Sequence, residues 1–298
     1  MIAALAAALL LGWQGEPDPA LIVADAERFA QVLAAHDGPP GASALERGYL
    51  RQATKGLRVM RRSRFRDADT LAAAIARQPD RYDHAVEVCL PAARDAQARL
   101  ASDIQAIEAL IPGLRAPPAY AVFGAGTSGG LATRDAIVVG LEVACDGMAD
   151  RQAAAEHLSL FVAHEAVHAG QKRGGQDLLA RVLAEGVADA LSRRVTGATL
   201  NDAARSWFEA REDAVLDDFA AAACAGPDGL APWLYAGPAD RPPGWPPDLG
   251  YVIGEDIVRA HEARGGGVED AMRAHRDARR YLAQSGHELD RLMTARGC

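Results

Sequence analysis

From Asp18 to about Leu114 apolar residues recur at spacings of three and four, as in Phe29, Val32 and Leu33, Leu71 and Ile75, or Ile104, Ile107 and Leu110. This is the period of helices that bury one face, and Gly38-Pro39-Pro40 and Pro112-Gly113 break the run into separate elements. Between Pro118 and Val143 the texture changes. Tyr120-Ala121-Val122-Phe123 and Ala136-Ile137-Val138-Val139-Gly140-Leu141 read as short strands, and the glycine-rich stretch joining them has a length that fits a hairpin. Two longer helical patterns follow, from about Arg151 to Arg173 and from about Asp177 to Val195. The segment from Ala225 to Leu249 holds seven of the sixteen prolines together with Trp233, Tyr235 and Trp245, which predicts an ordered functional loop rather than a flexible linker. Helical patterns resume around Tyr251 to Arg264, Val268 to Ala283 and His287 to Thr294. No segment repeats at a fixed period, and the whole reads as a predominantly helical α+β fold.

At 298 residues and 49% hydrophobic, the chain is long enough to hide roughly three-quarters of its unfolded surface. A net charge of −8 excludes general affinity for nucleic acid or anionic membrane carried by bulk charge. The basic knot Arg61-Arg62-Ser63-Arg64-Phe65-Arg66 reads as a solvated helix face or turn. Ile2 to Leu11 form an apolar run, too short to span a bilayer but long enough for the core of an export signal. We therefore separate residues 1–20 from a unit of residues 21–298, with a helical half at 21–117 and a catalytic half at 118–298, and expect export to the periplasm or beyond. Cys89, Cys145, Cys224 and Cys298 lack any Cys-x-x-Cys spacing; in an exported chain they form disulfides, with all three pairings open.

Gly124-Ala125-Gly126-Thr127-Ser128-Gly129 fits the dinucleotide pattern G-x-G-x-x-G and follows a β-type run. A dinucleotide-binding crossover needs a long helix opening at the third glycine, whereas only residues 130–135 precede the next β-type run. The stretch is read as a wide turn.

His164-Glu165-Ala166-Val167-His168 lies inside an apolar helical pattern. On a helix the two histidines stand about 40° apart and about 6 Å along the axis, so both imidazoles can reach one tetrahedral zinc. A carboxylate beside them, Glu165, can take the proton of a water that attacks a carbonyl. On the next helical pattern Glu185 and Asp189 share a face at i, i+4. Two antiparallel helices joined near Gly174-Gly175 would bring that face over the histidines, making Glu185 the third metal ligand and Asp189 the acceptor of a liganding histidine's free ring N–H. The longer motif with a third histidine is excluded by Gln171 and Gly174. His157, two turns before His164, is read as structural.

These residues resemble the glutamate-zincin class, in which H-E-x-x-H is followed by a helix bearing E-x-x-x-D, as in thermolysin-type peptidases. More narrowly, the chain resembles bacterial proteins predicted to be zinc-dependent proteases, several exported or lipid-anchored. The shared features are the Ser128-Gly129-Gly130 turn before Ile137 to Glu142, the two zinc motifs, Gly250-Tyr251-x-x-Gly254 and Tyr281 to Gly286. The resemblance implies a zincin-like core with a small sheet edge, a Zn2+ cofactor held by His164, His168 and Glu185, and a peptide or protein substrate. It also makes Tyr251 the leading oxyanion donor, with His261 and Tyr235 in reserve, and offers Glu142 as a partner for a substrate amino group. If Val122 or Val138 lay on an edge strand, a peptide could be held extended there. The rival expectation is a zincin-like binding or structural protein of the envelope that retains the site without turnover.

Overall fold

The computed structural model describes residues 20–226 and 229–298; the N-terminal apolar run lies outside the described residues. Four strands, β1 (Leu21–Ile22), β2 (Ala119–Val122), β3 (Gly130–Thr133) and β4 (Ala136–Gly140), form one mixed sheet in the order β1-β2-β4-β3. β1, β2 and β4 run parallel, and β3 is antiparallel to β4. The two β-type runs are therefore parallel neighbours, not the arms of a hairpin. The hairpin is β3–β4, closed where the Thr133 hydroxyl accepts the Ala136 amide at 3.0 Å. Val122 and Val138 both sit on interior strands, which removes them as edge positions; Leu131 and Ala132, on β3, take that place.

The glycine stretch after β2 arches over the end of β4 to reach the far edge. Gly140 N–H donates to Gly129 O at 2.9 Å, and a Cβ on Gly140 would stand 2.5 Å from the Ser128 carbonyl oxygen. Side chains alternate between the faces of a strand, so Tyr120, opposite Val138, and Gly130, opposite Val139, face opposite sides. On the first side Tyr120 packs against Gly56 of a short helix, Lys55–Met60. On the second, Gly130 meets Phe161 and Glu165 of a long helix, α1 (Arg151–Gly170). With helices on both faces, β2 and β4 are buried along their whole length, as expected of parallel strands.

Asp150 caps α1 by accepting the Ala153 amide, and Asp177 caps the next long helix, α2 (Leu178–Thr196), by accepting that of Ala180. Gly197, at φ 75°, ends α2 in the left-handed conformation that favours glycine. A third, α3 (Leu249–Ala263), crosses α2 with backbones touching: a Cβ on Gly254 would collide with the Val182 carbonyl and lie 2.9 Å from Gly186 Cα. The N-terminal helices share one continuous core with this assembly.

The expected helix from Val268 to Ala283 is broken into Val268–Ala271, a 3-10 turn at Ala274–Arg276 and Ala278–Ser285. The break turns His275 toward the α1–α2 connection, where its Nε2 bonds Lys172 O at 2.5 Å and its carbonyl accepts the Gly175 amide at 2.9 Å. Disulfides join Cys89 to Cys145 and Cys224 to Cys298, with Cα atoms 6.1 Å and 5.7 Å apart.

Candidate metal centre

The i, i+4 spacing on α1 stacks His164 and His168 on one face, and the crossing of α2 lays Glu185 against both. His164 Nε2 and His168 Nε2 are 3.0 Å apart; Glu185 Oε2 is 2.9 Å from the second and 3.3 Å from the first. The other nitrogen of each ring is engaged by an acceptor. His164 Nδ1 bonds Asp189 Oδ1 at 2.7 Å, and His168 Nδ1 bonds Gln171 Oε1 at 2.8 Å, the Gln171 amide being oriented by donation from its Nε2 to Ala184 O. Both Nδ1 atoms therefore carry the proton, and in the neutral rings both Nε2 atoms are acceptors.

Three lone pairs thus converge, those of His164 and Glu185 buried and that of His168 half-buried, and a metal ion or a proton relieves their repulsion. Without a metal, protons are drawn in. Burial disfavours a charged His164, but its hydrogen bonds to Asp189 and Glu185 outweigh this and push the imidazole up to about 10. Burial would raise the Glu185 carboxyl, yet His168 and His164 hold it well below the usual carboxylate range. A tetrahedral zinc with bonds of about 2.0–2.2 Å needs ligand atoms about 3.3–3.6 Å apart, within a few tenths of an ångström of the spacing found. Two imidazoles and a carboxylate also match zinc in donor type.

Asp189 is positioned in turn: its Oδ2 accepts from Asn201 Nδ2 at 2.8 Å, while Arg193, four residues on, pairs with Glu255 at 2.9 Å. Glu165 lies beside the first residue of β3, and a Cβ on Gly130 would stand 2.5 Å from its Oε1. Burial raises the Glu165 carboxyl, opposed by the charges of His168, His164 and Arg64. Arg64, from the basic knot, is exposed on the π-helical turn Arg61–Phe65, in keeping with a solvated helix turn.

Tyr251 stands in the first turn of α3, its ring 6.0 Å from that of His164 and inclined by 24°. Gly250 permits this approach, since a Cβ there would press on Leu234, Val182 and the Trp233 carbonyl. Tyr235, from the proline-rich loop, donates its hydroxyl to Glu185 Oε1. His261 is remote from this group in its contacts, stacking on Tyr281 at 4.2 Å. Glu142 is buried beneath the glycine stretch, its Oε1 accepting the Gly126 amide at 3.1 Å, which closes it off from a substrate amino group. His157 packs on Phe161 with ring centroids 6.0 Å apart.

Sequence reasoning passed over Gln171 and His275, which support His168 and the α1–α2 connection. Gln171 lies three residues beyond His168, a spacing that could have flagged it, whereas only the chain's return at Ala274–Arg276 brings His275 there. No family model, curated protein or solved structure matches the chain.

Proposed function

We propose that the chain is a zinc-dependent hydrolase with a zincin-like core, a metallopeptidase of the glutamate-zincin type that acts on a peptide or protein substrate. The observation carrying this reading is the convergence of His164 Nε2, His168 Nε2 and Glu185 Oε2 with both remote ring nitrogens engaged, next to a buried carboxyl that belongs to the same helix. His164, His168 and Glu185 would hold the zinc, which supplies Lewis acidity and an activated water. Asp189 and Gln171 keep both rings in the liganding tautomer.

Glu165 takes the proton of the attacking water as its oxygen bonds to the substrate carbonyl, and can pass it to the departing amine. Tyr235 has its hydroxyl proton committed to Glu185, so the oxyanion on the attacked carbonyl is assigned to Tyr251. β3 is an end strand and begins beside Glu165, so an extended peptide bonding to its outer edge would pass the attacking group. Among the described residues no helix is long and apolar enough to cross a membrane. Two disulfides favour an oxidising compartment, in keeping with export.

The test is zinc per chain, by elemental analysis of protein purified without a metal-affinity tag, combined with a peptide-library screen. One zinc is expected in the wild type and in Glu165→Gln, and loss in His168→Ala and Glu185→Ala. Hydrolysis should fall by at least about 100-fold in Glu165→Gln. Zinc with hydrolysis unaffected by Glu165→Gln would defeat this mechanism; zinc with no hydrolysis of any peptide would favour the binding-protein alternative.

A further inference from the structure

Glu185 presents one oxygen, Oε2, to the two histidines, and the other, Oε1, to the hydroxyl of Tyr235. The tyrosine arrives from a separate part of the chain. It sits in the proline-rich loop with φ 58°, a conformation uncommon for a bulky residue, and its amide donates to Asp248 Oδ1 at 2.9 Å. The base of the loop is anchored where Gly250 N–H donates to Trp233 O at 3.0 Å, and Trp233 is buried edge-on against Phe219 and Trp245, each at 5.0 Å.

Tyr235 is 56% exposed, and its ring meets that of Tyr251 edge-on at 6.3 Å. Apolar burial therefore does little to place this side chain, whereas both of its polar ends are fixed: the amide at Asp248 and the hydroxyl at Glu185. Such an arrangement determines the carboxylate's orientation rather than packing the core. A carboxylate's terminal torsion is broad, so a Glu185 with Oε1 free could rotate, or offer both oxygens to a cation.

We propose that Tyr235 is a positioning residue that makes Glu185 a one-oxygen ligand, so that the proline-rich loop forms part of the metal centre. This rests on the reading of His164, His168 and Glu185 as a metal site. The loop fixes the ligand's orientation from outside α1 and α2, and loses its own tether to the site if that bond is removed. Coordination number is the property at stake, because a carboxylate binding through both oxygens occupies the open position that catalysis needs.

The experiment uses the full chain, stripped of metal and reloaded, as wild type and as Tyr235→Phe. Zinc affinity is measured by competition with a chelating dye, and the visible absorption of the Co2+-loaded protein reports coordination number without reference to activity. Phenylalanine keeps the ring and removes one oxygen, so the urea midpoint of the metal-free protein reads separately the stability lost with the hydrogen bond to Glu185. We expect zinc affinity to fall about 10- to 100-fold and the cobalt bands to weaken as a four-coordinate site becomes five-coordinate. Affinity unchanged within about twofold and identical cobalt spectra, with the wild type holding one zinc, would overturn this role for Tyr235 and leave the metal site standing. A wild type that binds no zinc would overturn both.

Discussion

Glu142 shows how burial and charge trade against each other at one residue. Its Oε1 accepts the Gly126 amide, while Oε2 is buried without a hydrogen-bond partner. Burial pushes the carboxyl above its usual range, against the pull of the Gly124, Glu142 and Gly126 amides and the Arg81 charge. With the folded pKa above the unfolded one, the group's contribution to stability is fully present below the unfolded pKa and is lost as pH rises through the folded value. Glu142→Gln should therefore be more stable than the wild type at neutral pH, with the advantage shrinking as pH falls toward about 4. Paired urea titrations across that range would measure it, and a constant difference at all pH values would contradict the account. At this scale the cluster of His164, His168 and Glu185 was legible because i, i+4 spacing stacks the histidines on one helix and the next helical pattern carries Glu185. The hydroxyl of Tyr235 was not legible as a partner of Glu185, since it approaches across 50 positions of sequence on a loop with no period.

Among the elements, α2 and α3 govern the site most directly, because one carries Glu185 and Asp189 and the other Tyr251. Their approach depends on Gly186 and Gly254, where backbone meets backbone. Gly254→Ala should cost about 1–3 kcal/mol through overpacking, read as a lower urea midpoint, and should raise the rate of zinc loss because the helices can only part. Stability equal to the wild type would mean that the crossing is looser than the structure has it. The helices were readable from apolar period, with starts near Arg151 and Asp177, while the first ends at Gly170, three residues short of the expected Arg173. The sheet was readable only in part. β4 is rich in β-branched residues and β2 carries Tyr120 and Val122, both strands fully buried, whereas β3 is Gly-Leu-Ala-Thr, four residues with a weak strand preference. Its existence is decided by the partner edge of β4 and by the close seat of Gly130 on Phe161 and Glu165, neither of which is local information.

At the scale of the molecule, two kinds of constraint hold the halves together. The Cys89–Cys145 bond links the N-terminal helices to the segment just after β4, closing 56 residues of sequence, and acts mainly by restricting the unfolded chain. A zinc at His164, His168 and Glu185 would act instead on the folded state, adding about 2.7 kcal/mol when free zinc is a hundred times its dissociation constant. None of the hydrogen bonds that orient His164, His168 and Glu185 involves either cysteine or its sequence neighbours. The two effects should therefore add. Replacing both Cys89 and Cys145 by serine should cost about 2–4 kcal/mol with and without zinc, and the two losses should agree within about 0.5 kcal/mol. Urea unfolding of the four states supplies the comparison. A larger mismatch would mean that the sheet end and the metal helices yield together, so that closing the disulfide also shapes the site.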